Sequence, residues 1–186
     1  KMYTLKSPDG KVKLEVTAGQ GIAYSLFYDG RLLLKPSRIA LHTDLPEADH
    51  WENIRITGTK QRHVSETVQA PFYRVKEFGI DCNELELRLN NGFSLLMRAY
   101  NDGMAYRFVA GRKGEMTVVE ERAEFNFADD FEAYIPYSTN PKDPWNMAFQ
   151  NFYTKAPLTQ YNTELPAFLP LTVDAGAVKL TLLESD

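Results

Sequence analysis

Apolar residues recur at every second position over much of this 186-residue chain, which is the spacing of a β-strand with one buried face. Two early series show the pattern: Val12, Leu14 and Val16, then Ile22, Tyr24, Leu26 and Tyr28. Between them, Gly19 and Gly21 can adopt the positive φ that a tight reversal needs. The pattern therefore predicts a β-hairpin near the start of the chain.

Turn residues between alternating segments predict further hairpins. Asp29-Gly30 is a two-residue type I′ signal, and Asn91-Gly92 stands between two apolar series in the same way. Asn101-Asp102-Gly103 then reverses the chain into another alternating segment, residues 104–109. We expect an antiparallel meander of three strands here.

The remaining pattern decides the fold class. No window shows the helical spacing of apolar residues between caps, and the ten prolines fall between apolar runs. This leaves an antiparallel sandwich or a closed barrel. Residues 93–97 carry large side chains on both faces, which suits a covered sheet and favours the sandwich. We predict an all-β antiparallel sandwich, with residues 1–186 forming a single domain.

Composition narrows the possible partners. The formal net charge is −4 and the basic residues are scattered, which argues against nucleic acid as a partner. No apolar run is long enough for a membrane span. The single cysteine, Cys82, excludes an internal disulfide and a multi-cysteine metal site, and we expect a packed thiol rather than a reactive one.

Residues 136–161 form a long stretch that breaks the strand rhythm. The stretch is rich in proline and asparagine and carries several aromatic residues: Trp145, Phe149, Phe152, Tyr153 and Tyr161. Long loops inside compact domains are uncommon and often functional. We therefore take this aromatic loop as the candidate functional segment.

Several phrases of the chain, in their order and spacing, carry a family resemblance. They are Ser7-Pro8-Asp9-Gly10-Lys11, the segment 24–30, Lys35-Pro36-Ser37, Asn83-Glu84-Leu85, the segment 98–108 and the final Glu184-Ser185-Asp186. Together they resemble the N-terminal domain of glycoside hydrolase family 97, a family of α-glucosidases and α-galactosidases. The resemblance implies a β-supersandwich related to galactose mutarotases. It also implies that this domain leads into a (β/α)₈ barrel carrying the catalytic carboxylates, which this segment lacks.

The resemblance also implies a calcium ion beside the catalytic acids, with one glutamate ligand from the long loop. Gln150 stands where that glutamate is expected, and a glutamine carbonyl can still ligate calcium. The neighbouring Asn151 could share that role or contact sugar. Alternatively, Gln150 and Asn151 are a solvated polar pair on a loop, with no role in binding.

Two further residues are candidates for contact with sugar. Trp145 offers an aromatic face for a pyranose ring, or it anchors the loop by packing. On the resemblance, Glu184 reaches the sugar site. The alternative for Glu184 is a strand end in solvent.

Other polar residues favour structural readings. Arg98 and Arg107 flank a turn, and we expect them to be structural ion-pair partners. The three histidines are far apart in the sequence, and none is predicted to lie beside an acidic partner: His42, His50 and His63. Glu120 and Glu121 are adjacent in a predicted strand, so they point to opposite faces and cannot flank one bond.

The leading hypothesis is the N-terminal domain of an exported, calcium-dependent α-glycosidase, periplasmic or secreted. The domain would pack on its own catalytic barrel and help bind an α-linked oligosaccharide. Alone it would be inactive, because the catalytic carboxylates lie elsewhere. Two alternatives are a free-standing carbohydrate-binding module and a mutarotase-like epimerase, the latter requiring a histidine and a carboxylate in one pocket.

Overall fold

A computed structural model describes residues 1–138, 140, 142–143 and 151–185. These residues form thirteen β-strands and one short 3₁₀ helix at Leu158–Gln160. The strands are β1 (Met2–Lys6), β2 (Val12–Gly19), β3 (Gly21–Tyr28), β4 (Arg31–Thr43), β5 (Ile56–Gln69), β6 (Glu77–Leu89), β7 (Phe93–Tyr100), β8 (Gly103–Ala110), β9 (Val118–Ala123), β10 (Glu132–Ile135), β11 (Thr154–Pro157), β12 (Leu171–Asp174) and β13 (Lys179–Leu182). The predicted all-β class is confirmed. Across the described ranges, no helix has the length and apolar character to cross a membrane.

The chain divides into two compact units, Lys1–Asn126 and Phe127–Asp186. The first unit contains two antiparallel sheets. One is five-stranded in the order β1-β2-β3-β4-β9, and the other is four-stranded in the order β5-β6-β7-β8. The predicted three-strand meander is β6, β7 and β8 of the second sheet.

The core of the first unit lies between its two sheets, as the alternation predicted. The five-stranded sheet contributes Val12, Leu14, Val16, Ile22, Tyr24 and Leu26, and the four-stranded sheet contributes Leu85, Leu87, Leu95 and Met97, all buried. The Tyr24 ring packs across the sandwich against Tyr106, with 6.1 Å between centroids. Trp51 adds to this core, since its ring contacts Phe108 edge-on. The predicted antiparallel sandwich is therefore confirmed.

The hairpin turns follow their sequence signals with one difference. Asp29 and Gly30 have φ of 48° and 79°, which fits the predicted type I′ turn. At Asn91-Gly92 the hairpin forms, but Gly92 alone has positive φ, at 86°, and the loop spans residues 90–92. The type I′ prediction is wrong there because that turn needs positive φ at both central residues, and the Asn91 side chain makes hydrogen bonds in the geometry that forms instead. Its Oδ1 accepts the Phe93 amide, and its Nδ2 donates to the carbonyl of Ala48.

The second unit contains one four-stranded antiparallel sheet in the order β11-β10-β12-β13. Its buried centre consists of Ala133, Ile135 and Val173. Partly buried apolar side chains pack around that centre: Phe127, Phe131, Tyr137, Leu158, Tyr161, Ala167, Leu171 and Leu180. This small core holds the sheet that carries the described part of the predicted site.

Candidate functional site

One end of the second-unit sheet collects the segments next to the predicted site residues. Because neighbouring strands run antiparallel, β10 and β13 end where β11 and β12 begin. The segments at this end are 136–138 after β10, 151–153 before β11, 168–170 before β12 and 183–184 after β13. We name this set the loop end, since Ser138 and Asn151, which lie inside the predicted aromatic loop on either side of residues 139–150, both belong to it. The last part of that predicted loop is not irregular, because β11 and the 3₁₀ helix form there.

Asn151 ties together the segments before and after residues 139–150. Its side-chain Nδ2 donates a 2.8 Å hydrogen bond to the carbonyl of Tyr137, and the side chain is partly buried. Tyr137 pairs with Ala167 in an isolated bridge, and the amide of the buried Ser138 donates to Pro166. Asn151 is therefore a structural tie at the loop end, with its carbonyl oxygen outside this hydrogen bond.

Aromatic side chains support the loop end. The rings of Tyr137 and Tyr161 lie 5.4 Å apart, and the Tyr137 hydroxyl accepts the amide of Asn162 at 2.8 Å. Burial raises the pKa of Tyr161, and the neighbouring Tyr137 adds to the rise. The Tyr153 hydroxyl donates to the carbonyl of Pro170 at 3.2 Å. These contacts hold the segments on either side of β10 in a fixed relation.

The loop end also exposes apolar side chains. Phe152 is 100% exposed and Leu183 is 74% exposed, while Tyr153 and Leu169 are each 46% exposed. They come from three different segments at the same end of one sheet. Exposed apolar side chains gathered at one end of a sheet are typical of a surface that another molecule covers.

Glu184 lies at this end too, exposed in the segment after β13. Three strand spacings separate β11 from β13, so Asn151 and Glu184 are roughly 14 Å apart across the sheet, at about 4.8 Å per spacing. The two residues share an end of the sheet without contacting each other. Trp145 and Gln150 lie outside the described residues.

A calcium ion needs several oxygen ligands. No three His, Cys, Asp or Glu side chains in the described part of the chain come close enough to hold a metal ion. Asn151 offers one amide oxygen, and Glu184 is too distant across the sheet to join it. The described residues do not build a calcium site by themselves, so calcium binding stays a prediction.

Two histidines have acidic neighbours, contrary to the prediction. His42 Nδ1 lies 2.7 Å from Asp49 Oδ1, and His63 Nε2 lies 3.1 Å from Asp81 Oδ1. The first pair forms because residues 44–50 fold back toward β4. The second lies diagonally across the β5–β6 pairing, where His63 is opposite Asn83. Both depend on tertiary pairing, which spacing along the chain does not reveal.

Arg98 confirms the predicted structural role of an ion-pair partner. Its Nε lies 2.8 Å from Glu84 Oε2, and Arg62 Nε lies 2.6 Å from Glu84 Oε1. These three residues are opposite one another on β5, β6 and β7, so the register alone aligns them. Arg62 holds the pKa of Glu84 below its usual value, although burial partly opposes that effect. Glu120 and Glu121 are adjacent in β9, so the prediction that they cannot flank one bond is also confirmed.

Solved structures share the fold of this chain. A family 97 glycoside hydrolase from Pseudoalteromonas in complex with panose matches 92% of the chain, with TM-score 0.74 and 19% identity. The crystal structure of a β-arabinopyranosidase matches 92% of the chain, with TM-score 0.77 and 22% identity. The chain covers 26% and 29% of those two proteins. At these identities the likeness shows the fold alone, a β-sandwich that recurs in both of these larger proteins.

The sequence then gives the family. Residues 5–186 match the family model described as glycosyl-hydrolase 97 N-terminal. A retaining α-galactosidase from Bacteroides thetaiotaomicron is 39% identical over 193 residues, covering 100% of this chain. The chain belongs to glycoside hydrolase family 97 and corresponds to its N-terminal domain. It spans 29% of the length of that α-galactosidase.

Proposed function

We propose that this chain is the N-terminal domain of an exported, calcium-dependent retaining α-galactosidase or related α-glycosidase. In this proposal the loop end packs on the catalytic barrel and completes the sugar site. The observation that carries it is the convergence at the loop end. Asn151, Glu184 and the exposed Phe152 and Leu183 all lie at that end of the sheet, on segments beside residues 139–150 and after β13.

The proposal divides the work between this domain and the rest of the enzyme. A retaining glycosidase needs two carboxyl groups about 5–5.5 Å apart at the scissile bond. Asn151 and Glu184 cannot supply that pair, because one is an amide and they are roughly 14 Å apart across the sheet. The reacting carboxylates are therefore assigned to the barrel. Glu184 and the aromatic loop are assigned to contacts with the α-linked oligosaccharide.

The decisive experiment uses the longer protein, with the chain joined to the sequence that follows it. Hydrolysis of nitrophenyl α-galactoside and α-glucoside is measured with and without chelator. Three altered proteins are compared: Glu184→Gln, a deletion of residues 139–150, and the control Glu132→Gln. Glu132 is an exposed residue of β10 that forms an ion pair with Lys155 of β11, and it lies outside the loop end.

We expect chelator and the deletion each to lower kcat/KM at least tenfold, and Glu184→Gln to lower it more than Glu132→Gln does. The deletion removes no residue of β10 or β11 and keeps Asn151, so we expect the sheet to form. Activity unchanged by chelator would remove the calcium part of the proposal. Activity unchanged by the deletion would remove the site-completing part.

A carbohydrate-binding module is the second candidate, favoured by the fully exposed ring of Phe152. It predicts that the isolated chain binds α-galactosides in calorimetry and that Phe152→Ala abolishes the binding. Heat of binding indistinguishable from buffer would reject this candidate.

A further inference from the structure

The hairpin of β5 and β6 extends beyond the sheet to which it belongs. The two strands pair with each other from Ile56 and Leu89 outward to Gln69 and Glu77. Strand β7 pairs with β6 only between Cys82 and Arg88. Residues 65–81 therefore project as a two-stranded segment, which we name the ribbon.

The ribbon has one apolar and one polar face. Paired residues share a face, and the pairs alternate between faces along the strands. The apolar face carries Glu66 opposite Ile80 and Val68 opposite Phe78, and it continues the face of the sheet on which Val64 is opposite Cys82. The other face carries Ser65 opposite Asp81, Thr67 opposite Gly79 and Gln69 opposite Glu77.

The apolar face of the ribbon points away from the sandwich core. Cys82 is opposite Tyr100 and shares its face of the sheet with Glu84 and Arg98. The core is lined by the alternate set, which includes Leu85 and Met97. The sandwich therefore cannot cover the apolar face of the ribbon.

Exposure increases toward the tip of the ribbon. Cys82 and Val64 are buried at 0% and 7% exposure, whereas Val68 and Phe78 are exposed at 40% and 43%. The apolar tip residues are more exposed still: Phe72 at 98%, Tyr73 at 69% and Val75 at 53%. An isolated two-stranded hairpin is only marginally stable in water, and a cluster of exposed apolar side chains marks an interaction surface. The ribbon thus has the pattern of a strand pair covered by another surface.

We propose that the apolar face and tip of the ribbon dock against the part of the full-length enzyme that lies outside this chain. The inference rests on the proposed function only in requiring that the chain continue into a longer protein. The family 97 α-galactosidase that matches the whole chain is far longer, since the chain covers 29% of it.

The size of the patch favours this occupant over a second copy of the chain. From the exposed fractions, and about 150–250 Å² for each aromatic side chain, the patch offers on the order of 500 Å². A stable interface between separate proteins buries about 800 Å² on each partner. A tethered partner needs less area because its effective concentration is high.

Hydrogen exchange measured by mass spectrometry tests the proposal. Exchange of residues 65–81 is compared between this chain and the longer protein at equal concentration. We expect exchange in the longer protein to be at least tenfold slower. Equal rates in the two proteins would overturn the proposal. Exchange that slows in this chain by itself as the protein concentration rises would also overturn the proposal, because a second copy of the chain would then cover the apolar face.

Matched variants locate the contact on the apolar side. Phe72→Ser with Phe78→Ser alters the tip and the apolar face, and Thr67→Ser is the control on the polar face. In the longer protein we expect the double variant to restore at least tenfold faster exchange, with the control unchanged. Phe72 is 98% exposed in this chain, so the single variant Phe72→Ser should leave the melting temperature of the chain unaltered. Equal effects of the control and the double variant would contradict the proposed face.

The exchange readout is independent of catalysis. A protected ribbon in a longer protein without glycosidase activity would refute the proposed function and leave the docking surface standing. An active longer protein with an unprotected ribbon would refute the docking surface and leave the proposed function standing.

Discussion

Glu84 and its two ion-pair partners, Arg62 and Arg98, offer the sharpest test of how strand register stabilises the first unit. The Glu84 side chain is 5% exposed, between Arg98 at 26% and Arg62 at 53%. Glu84→Gln keeps the shape and removes the charge. Two guanidinium groups then face each other without the carboxylate that joins them.

The burial of Glu84 and its two partners sets how much stability Glu84→Gln should lose. Removing one partner of a buried ion pair costs about 3–5 kcal/mol, whereas exposed pairs contribute at most about 1 kcal/mol. Both arginines remain partly hydrated, so we expect Glu84→Gln to cost about 2–3 kcal/mol, between the exposed and the buried ranges. Glu47→Gln removes an exposed partner of Arg112 and is the control, with a much smaller expected effect.

The pH dependence has a definite sign. Arg62, and then Arg98, lower the pKa of Glu84 in the folded state below its usual value, with burial opposing them. A lowered carboxyl pKa stabilises the folded state above the unfolded-state pKa of about 4.3. That stabilisation is lost as the pH falls through the lower, folded-state pKa. The difference between wild type and Glu84→Gln should therefore shrink on acidification.

Urea unfolding followed by tryptophan fluorescence, with Trp145→Phe introduced into every protein so that Trp51 is the emitting tryptophan, measures both effects. Trp51 is 6% exposed and contacts the core of the same unit, so its emission reports that unit's unfolding. Curves are collected at pH 7 and at successively lower pH for wild type, Glu84→Gln and Glu47→Gln. A loss at pH 7 no greater than that of the control, or a difference that stays constant down to pH 3, would refute the reasoning.

Three other predictions concern the turns, the second core and the thiol. Gly30→Ala should lower the free energy of unfolding by about 1 kcal/mol, because Gly30 has a φ of 79° that alanine rarely adopts. Thermal unfolding measures this effect, and the control is Gly103→Ala, since Gly103 has no positive φ and has open space at the Cβ position. Ile135→Ala should cost about 2–5 kcal/mol in the small core of the second unit. Limited proteolysis should then cut within residues 127–185 before it cuts the first unit, and unchanged cleavage would contradict this. Cys82 is fully buried and burial raises its pKa, so a thiol reagent should label it much faster in urea than in buffer. Equal labelling rates would show the thiol to be accessible.

The sequence by itself determined the class of fold and most of its local reversals. The alternation in β2 and β3 predicted which side chains are buried, and Asp29-Gly30 predicted its turn type. These features are local, since side-chain direction along a strand and positive φ in a turn depend on a few neighbouring residues. Asn91-Gly92 shows where local reasoning ends. Its hairpin was predicted correctly, but a contact with the distant Ala48 accompanies a different turn geometry.

The tertiary structure decided which distant residues meet. Strand order brings Asn151 and Glu184 to one end of a sheet, and register sets Glu84 between two arginines. Register also assigns the apolar side of the ribbon to the surface opposite the core. In the ribbon, alternate residues share a face, but the sequence does not say which of the two faces the sandwich covers. That choice depends on pairings between segments far apart in the chain, which local spacing does not specify.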